Sequence, residues 1–188
     1  MLKDEVKKAV EVMRAGGVIL YPTDTVWGIG CDATNAEAVK RIYEIKRRDD
    51  SKAMICLVDS EARLSRYVRH VSDVTWDMIE LSTKPLTIIF DGVTGLAPNL
   101  VAEDGSVGMR VTREEFSKEL CFRMEKPVVS TSANISGEAT PRNFSEISDE
   151  IKNAVDYVVN YSRQGKEKHK PSSIIKMSES GEFTIIRE

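Results

Sequence analysis

Three short polar clusters in the sequence carry residue types that could bind a nucleotide or another anion. Thr23-Asp24-Thr25 follows an apolar run, Lys46-x-Arg48 ends a predicted helix, and Ser132-Ala133-Asn134 follows a second apolar run. Lysine and arginine can neutralise phosphates, and hydroxyl and amide groups can hold a ribose, a base edge or a carboxylate. Together the clusters indicate an anion- or nucleotide-binding site.

Each cluster also has a structural explanation that needs no ligand. The first could be a turn held by local side-chain hydrogen bonds, the second a solvated helix end, and the third a cap or turn. The sequence contains neither G-x-x-x-x-G-K-[ST] nor G-x-G-x-x-G, so no standard phosphate loop supports the nucleotide interpretation. The residues alone leave the choice open.

Composition and charge narrow the class of protein. Of the 188 residues, 41% are hydrophobic and 30% are charged, which is typical of one globular domain over residues 1–188. The net charge of -3 gives no general attraction to nucleic acid. No stretch is apolar enough to cross a membrane and the start does not resemble a signal peptide, so we expect a cytoplasmic protein without a membrane partner.

The residue types do not indicate a metal centre. The cysteines, Cys31, Cys56 and Cys121, form no C-x-x-C pair, and only two histidines, His70 and His169, are present. We therefore assign no protein side chain as a metal ligand.

The hydrophobic pattern predicts alternating helices and strands that would bring the polar clusters to strand ends. Helices are predicted from Leu2 to Met13, after capping boxes at Thr34 and Thr112, and over 60–68, 72–81 and 148–155. Strands are predicted over 18–21, 53–58, 86–90, 107–111, 127–130, 156–160, 173–177 and 183–187.

This order predicts an α/β domain with a mixed β-sheet flanked by helices. In the helix over 72–81, Val74, Met78 and Leu81 are expected to face inward. Trp27, Gly28 and Gly30 are expected to belong to a loop, where glycine allows a ligand to approach the backbone closely.

Several separated motifs, in this order, resemble the YrdC-like family of L-threonylcarbamoyladenylate synthases. The motifs are Tyr21-Pro-Thr-Asp-Thr-Val-Trp-Gly-Ile-Gly, Ile42-Tyr-x-x-Lys-x-Arg, Val107-Gly-Met-Arg-Val, Ser130-Thr-Ser-Ala-Asn-Ile-Ser-Gly, Pro171-Ser-Ser-Ile and Ile185-Ile-Arg. The resemblance implies a twisted mixed sheet of the YrdC-like (RibB-like) fold with a concave basic cleft.

The resemblance also implies a reaction. Threonine, bicarbonate or CO2, and ATP would give threonylcarbamoyl-AMP and pyrophosphate, and a separate transferase complex would use the product to modify adenosine at position 37 of tRNA. Such a reaction needs no covalent nucleophile on the protein, because positioning and charge stabilisation carry the rate. Mg²⁺ is expected to bridge the triphosphate.

The resemblance assigns roles residue by residue. Lys46 and Arg48 are expected to clamp phosphates and to act in catalysis, and Lys52 matches a further basic position that could contact phosphate. The other expected contacts with ATP are Ser106, Asn134 and Arg187. The expected contacts with threonine are Thr23, Arg110, Ser132 and Ser172.

Some positions depart from the family pattern, and other functions stay open. The family often has tyrosine where this chain has Trp27 and proline where it has Asp49 and Thr112, and Ala53 replaces the proline of a common Lys-Pro-Leu. The alternatives are a non-enzymatic RNA-binding or ribosome-maturation module, a relative without the synthase reaction, or a synthase of another pathway. An aromatic content of 6% and an acidic net charge disfavour the RNA-binding module.

Overall fold

In a computed structural model, helices pack on both faces of a β-sheet over the described residues 1–48, 54–164, 171–178 and 180–188. The helices are α1 (Leu2–Arg14), α2 (Ala36–Lys46), α3 (Glu61–Leu64), α4 (Asp73–Leu81), α5 (Glu115–Met124) and α6 (Asp149–Ala154). The strands are β1 (Ile19–Tyr21), β2 (Gly28–Gly30), β3 (Ile55–Val58), β4 (Leu86–Phe90), β5 (Val107–Val111), β6 (Val128–Ser132), β7 (Tyr157–Val158), β8 (Ser173–Met177) and β9 (Phe183–Arg187).

Within the described ranges the strands form one mixed sheet in the order β7-β1-β2-β6-β3-β5-β4-β8-β9. The pairs β1/β7, β3/β5 and β4/β8 are parallel, and the other neighbours are antiparallel. The predicted α/β class with a mixed sheet is therefore confirmed. A single domain over residues 1–188 stays a prediction.

The two faces of the sheet are covered to different extents. On one face, residues such as Cys56, Met109 and Ile88 pack in a large core with apolar residues of α2, α3 and α4. On the other, α1 and α5 cover Leu57 and Val128 through a second core. On this second face, Val128, Leu57 and Arg110 lie side by side on the neighbouring strands β6, β3 and β5. The part of the sheet around Arg110 lies away from α1 and α5 and forms the cleft described below.

At both predicted capping boxes, a residue that follows the threonine caps the helix instead. Asn35 caps α2 through its side chain, and the Thr34 hydroxyl donates to Asp32 Oδ1 at 2.7 Å. The Glu114 carboxylate caps α5, while the hydroxyl of Thr112 pairs with that of Ser117 at 2.8 Å. In both places the helix begins close to the predicted point, and the threonine hydroxyl forms a hydrogen bond with another side chain.

The predicted inner face of α4 is wrong for Val74 and Leu81, whereas Met78 is partly buried and packs against the core as predicted. Val74 and Leu81 are 49% and 78% exposed, whereas Thr75 and Ile79 are buried. Helical spacing puts residues 74, 78 and 81 on one face of α4 and residues 75 and 79 on another. In a nine-residue helix, spacing alone cannot decide which of the two faces is buried. The prediction that Gly28 and Gly30 lie in a loop is also wrong, because they begin and end β2.

Gly30 is required by a close approach between strands. A Cβ added there would lie 2.4 Å from the Val129 carbonyl oxygen and 2.6 Å from Cε1 of Tyr21, whose hydroxyl donates to the same oxygen at 3.0 Å. We expect Gly30→Ala to lower the free energy of unfolding by about 3 kcal/mol, since neither backbone nor a buried ring can yield cheaply.

Urea unfolding measures this effect, with Gly108→Ala as the matched comparison. At Gly108 the nearest atom to an added Cβ is Cγ2 of Ile55 at 3.0 Å, a side-chain end that can shift. Equal losses of stability in the two variants would contradict this account of Gly30.

Across the described part of the chain, no helix combines the length and the apolar character needed to cross a membrane.

Candidate functional site

A polar cleft of about 210 Å³ lies on the sheet face that α1 and α5 leave open. Its polar lining comes from the loop after β1, the end of α2, strands β5 and β6, and the two C-terminal strands. The polar side chains that line it are Thr25, Arg48, Arg110, Ser130, Thr131, Ser132, Thr140, Ser172 and Arg187. Three separate strand or helix ends thus converge on one place, as the three polar clusters predicted.

Arg110 is the most enclosed cation of the cleft. Its side chain is 2% exposed, and Nη2 lies 2.8 Å from Asp24 Oδ1. Nη1 donates to Thr87 Oγ1 at 3.3 Å, and Nε has no hydrogen-bond partner among the described residues. Burial lowers the pKa of Arg110 and Asp24 opposes that shift. A guanidinium stays protonated in proteins, so the Nε–H of Arg110 remains a hydrogen-bond donor.

The loop after β1 holds Asp24 in place. Thr23 Oγ1 donates to the Val26 carbonyl at 2.7 Å and accepts from the backbone N–H of Thr25 at 3.1 Å. The hydroxyl of Thr23 therefore shapes the turn, while Thr25 lines the cleft. Here the turn explanation is correct for Thr23, and the turn itself brings Asp24 to Arg110.

Lys46 is buried at the end of α2. Its Nζ donates to the carbonyl oxygens of Ser132 at 2.5 Å and Asn134 at 2.6 Å, and the side chain is 1% exposed. Burial, assisted by the nearby charge of Arg48, lowers the pKa of Lys46 to about 8. α2 ends at Arg47 in the left-handed region, with φ 48°, which turns the chain so that Arg48 lines the cleft.

This lowered pKa predicts a pH dependence. The resemblance assigns Lys46 to phosphate, and the ammonium form that this role requires is lost as the pH rises through about 8. We expect kcat/KM for ATP, which reports on the free enzyme, to fall over that range.

A pH–rate profile between about pH 6.5 and 9.5 measures this limb. Lys46→Arg should remove it, since arginine keeps its charge throughout. A wild-type profile that stays flat to the alkaline end would contradict the assignment.

Asn134 follows β6 and presents an unused acceptor. Its Nδ2 donates to the carbonyls of Ile135 and Glu138, both at 3.0 Å. Its Oδ1 has no partner within the described part of the chain. Fixed from the amide side, this oxygen can accept a hydrogen bond from a ribose hydroxyl or a base amine.

A β-bulge aims Arg187 into the cleft. Ile174 lies opposite Arg187 and Ile175 opposite Ile185, so Ile186 is an extra residue in β9. With regular alternation, Arg187 would share a face with Ile185; the bulge moves it to the opposite face. There its Nε and Nη2 donate to the Ser172 carbonyl at 3.0 and 2.8 Å.

Hydrogen bonds connect the two sides of the cleft. Ser172 Oγ pairs with Thr87 Oγ1 at 2.9 Å, and Thr87 Oγ1 accepts from Arg110. Thr87 is a site residue that the sequence analysis missed. Asp24 was part of a recognised cluster but was given no role. The only available signal for Thr87 was its position on a strand face, which becomes informative once the pairing of β4 with β5 is known.

Four of the predicted residues are not among the described residues that line the cleft, namely Thr23, Lys46, Asn134 and Ser106. The hydroxyl of Ser106 donates to Asp104 Oδ1 at 2.5 Å, and Ser106 is not among the described lining residues. Hydrogen bonds from Lys176 and Ser106 hold the pKa of Asp104 well below its usual value. Lys52, with Asp49 and Ala53, lies outside the described residues.

The cleft offers cations rather than metal ligands. Its lining, as far as the structure describes it, contains no carboxylate, and no group of three or more histidine, cysteine, aspartate or glutamate residues in the described ranges could hold a metal. A magnesium ion at this site would therefore need its oxygen ligands from bound phosphates and water.

Such a cleft, built from one buried arginine, two further arginines and several hydroxyls on an α/β sheet, is typical of a protein that binds anionic small molecules. The profile of the Sua5/YciO/YrdC family, described as telomere recombination, matches residues 11–188. The chain belongs to this family, which confirms the resemblance to YrdC-like proteins.

Relatives match most of the chain. A protein of Methanocaldococcus jannaschii is 36% identical over 99% of this chain and 88% of its own length. A Vibrio cholerae protein named threonylcarbamoyl-AMP synthase is 32% identical over 92% of this chain and 93% of its own length.

Solved structures share the fold. Escherichia coli YciO has a TM-score of 0.84 at 26% identity, over 100% of this chain and 90% of its own. P. abyssi Sua5, solved in complex with L-threonine, has a TM-score of 0.85 at 22% identity over 97% of this chain. The present chain spans only about half of that protein, 53% of its length.

Proposed function

We propose that this chain is a threonylcarbamoyl-AMP synthase, which converts L-threonine, bicarbonate or CO2, and ATP into threonylcarbamoyl-AMP and pyrophosphate. The observation that carries the proposal is the buried guanidinium of Arg110, with Nε unpaired among the described residues, in the same cleft as Arg48 and Arg187. One buried arginine suits an amino-acid carboxylate, and several cations suit a triphosphate. The names of the relatives point to the same pair of substrates.

The threonine half of the site is assigned to the Arg110 side of the cleft. Arg110 binds the substrate carboxylate, and the hydroxyls of Ser132 and Ser172 contact its polar groups. The 2.8 Å ion pair with Asp24 fixes the guanidinium of Arg110, so its orientation is set before the substrate binds. Thr23 contributes by shaping the loop that carries Asp24.

The nucleotide half is assigned to the ends of α2 and β6. Lys46 and Arg48 neutralise the phosphates, and Asn134 offers Oδ1 to the ribose or base. Arg187, which also lines the cleft, is a further contact with ATP. Ser106 and Lys52 are retained as further ATP contacts. Mg²⁺ would take its oxygen ligands from the triphosphate and water, and Lys46 and Arg48 provide the positive charge that balances the leaving group.

The proposed chemistry requires positioning rather than a covalent intermediate on the protein. The threonine nitrogen adds to CO2 and loses a proton to give a carbamate. A carbamate oxygen then attacks the α-phosphorus, and the bond to the β-phosphate oxygen breaks as pyrophosphate leaves. We assign Lys46 and Arg48 to the charge that develops on the phosphates, because such stabilisation is usually the largest single contribution to this type of transfer.

The product implies a consumer. Threonylcarbamoyl-AMP is an activated acyl donor, and we propose that a separate transferase uses it to modify adenosine in tRNA, in the cytoplasm, where ATP and tRNA are available. Direct binding of tRNA by this chain is not required for the synthase step.

Incorporation of labelled bicarbonate tests the proposed product. Purified protein with ATP, threonine and ¹³C-bicarbonate should yield threonylcarbamoyl-AMP that carries the label, as detected by mass spectrometry. A nucleotide product without the label would contradict the proposed reaction. Salt-dependent binding of duplex RNA by folded protein without any turnover would favour the RNA-binding alternative.

A further inference from the structure

A second cavity, of about 200 Å³, lies between α4 and strands β4 and β5, and the proposed reaction does not use it. Its inner wall is apolar and includes the buried side chains of Leu64, Ile79, Ile88 and Met109. An apolar cavity of about 150 Å³ is large enough to hold a benzene ring. This cavity therefore has room for one ring or a short branched chain.

The mouth of the cavity is basic. Arg113 lies there and donates hydrogen bonds of 2.7 to 3.1 Å to three backbone carbonyls at the end of α4, which fixes its guanidinium at the rim. Lys84 is exposed at the same mouth, and no carboxylate of the described residues pairs with it. A cation without a partner in the described ranges, beside an apolar wall, suits a ligand with one anionic end.

One acidic group also borders the cavity, and its charge is balanced. Asp24 is part of the lining, and its Oδ1 lies 2.8 Å from Nη2 of Arg110. The local balance at the mouth is therefore positive, because Lys84 and Arg113 outweigh the paired carboxylate. Asp24 borders this cavity, while its partner Arg110 lines the cleft.

We propose that this cavity is a binding site for a small apolar carboxylate, with its ring or branched chain against Ile79, Ile88 and Met109 and its carboxylate at Lys84. The apolar wall provides the burial and Lys84 provides the preference for an anion.

Methyl NMR of the full chain, without ATP or threonine, tests the site directly. Phenylacetate is the probe, and 2-phenylethanol is its neutral counterpart. Titration with phenylacetate should shift the methyl signals of Ile79, Ile88 and Met109 to saturation. Phenylacetate should bind about fivefold more tightly than the alcohol, as one exposed ion pair can provide.

Three variants separate the contributions. Ile79→Trp should fill the cavity and abolish the shifts. Lys84→Gln, at an exposed position, should erase the preference for phenylacetate over the alcohol. Lys118→Gln is the matched control, an exposed lysine on α5 away from the cavity, and should leave both affinities unchanged.

Two results would overturn the proposal. The first is the absence of saturable shifts at these three methyl groups in folded wild-type protein. The second is equal binding of the acid and the alcohol, or a preference that survives in Lys84→Gln. Because no substrate is present, these results do not depend on whether the protein is a synthase.

Discussion

Replacing Arg110 with lysine is expected to lower kcat/KM for threonine by about 100-fold while the affinity for ATP stays nearly unchanged. Lysine keeps a positive charge near Asp24, so the carboxylate is not left alone in a buried place. It cannot reproduce the planar fork, whose Nη2 pairs with Asp24 and whose Nε has no partner among the described residues. The loss should therefore fall on the amino-acid substrate.

Steady-state kinetics with each substrate varied in turn measure this effect, and calorimetry with a non-hydrolysable ATP analogue checks the nucleotide half. Arg66→Ala, which removes an exposed arginine away from the cleft, is the matched control and should behave as wild type. If Arg110→Lys impaired ATP binding as strongly as it impaired the use of threonine, Arg110 would not be a threonine-side residue.

Replacing Lys46 with methionine is expected to lower the rate of pyrophosphate release by about 10²- to 10³-fold, as removal of one preorganised charge stabiliser does in other enzymes. Methionine fills much of the same volume without the charge. The Ser132 and Asn134 carbonyls lose their donor, which costs stability, but the burial that lowers the pKa of Lys46 to about 8 shows that the ammonium is itself costly to bury.

These two effects on stability oppose each other, so the free energy of unfolding should stay within about 2 kcal/mol of wild type. Urea unfolding monitored by circular dichroism measures it beside the kinetics. A well-folded Lys46→Met protein with nearly normal turnover would remove Lys46 from the proposed machinery. Lys126→Met, at a lysine that pairs with Asp32 outside the cleft, is the control.

The sequence was sufficient to predict the strands that carry the site. The strands over 86–90, 107–111, 173–177 and 183–187 have the predicted bounds, because each is an apolar run between clear turn signals. The convergence of the Thr23, Lys46 and Ser132 clusters was also predictable, since side chains at strand ends tend to meet.

Long-range contacts could not be predicted in this way. The ion pair between Asp24 and Arg110 joins residues far apart in the chain, and no local pattern indicates it. The bulge at Ile186 reverses the face on which Arg187 lies, and alternation alone would place that arginine wrongly. The buried face of α4 likewise depends on where the helix docks rather than on its own spacing.

Pyrophosphate release from purified protein, given ATP and bicarbonate with and without threonine, tests the central claim most directly. The proposed function predicts release that depends on threonine and is absent with serine or without an amino acid. Folded protein that releases no pyrophosphate with threonine, or the same amount without it, would contradict the account.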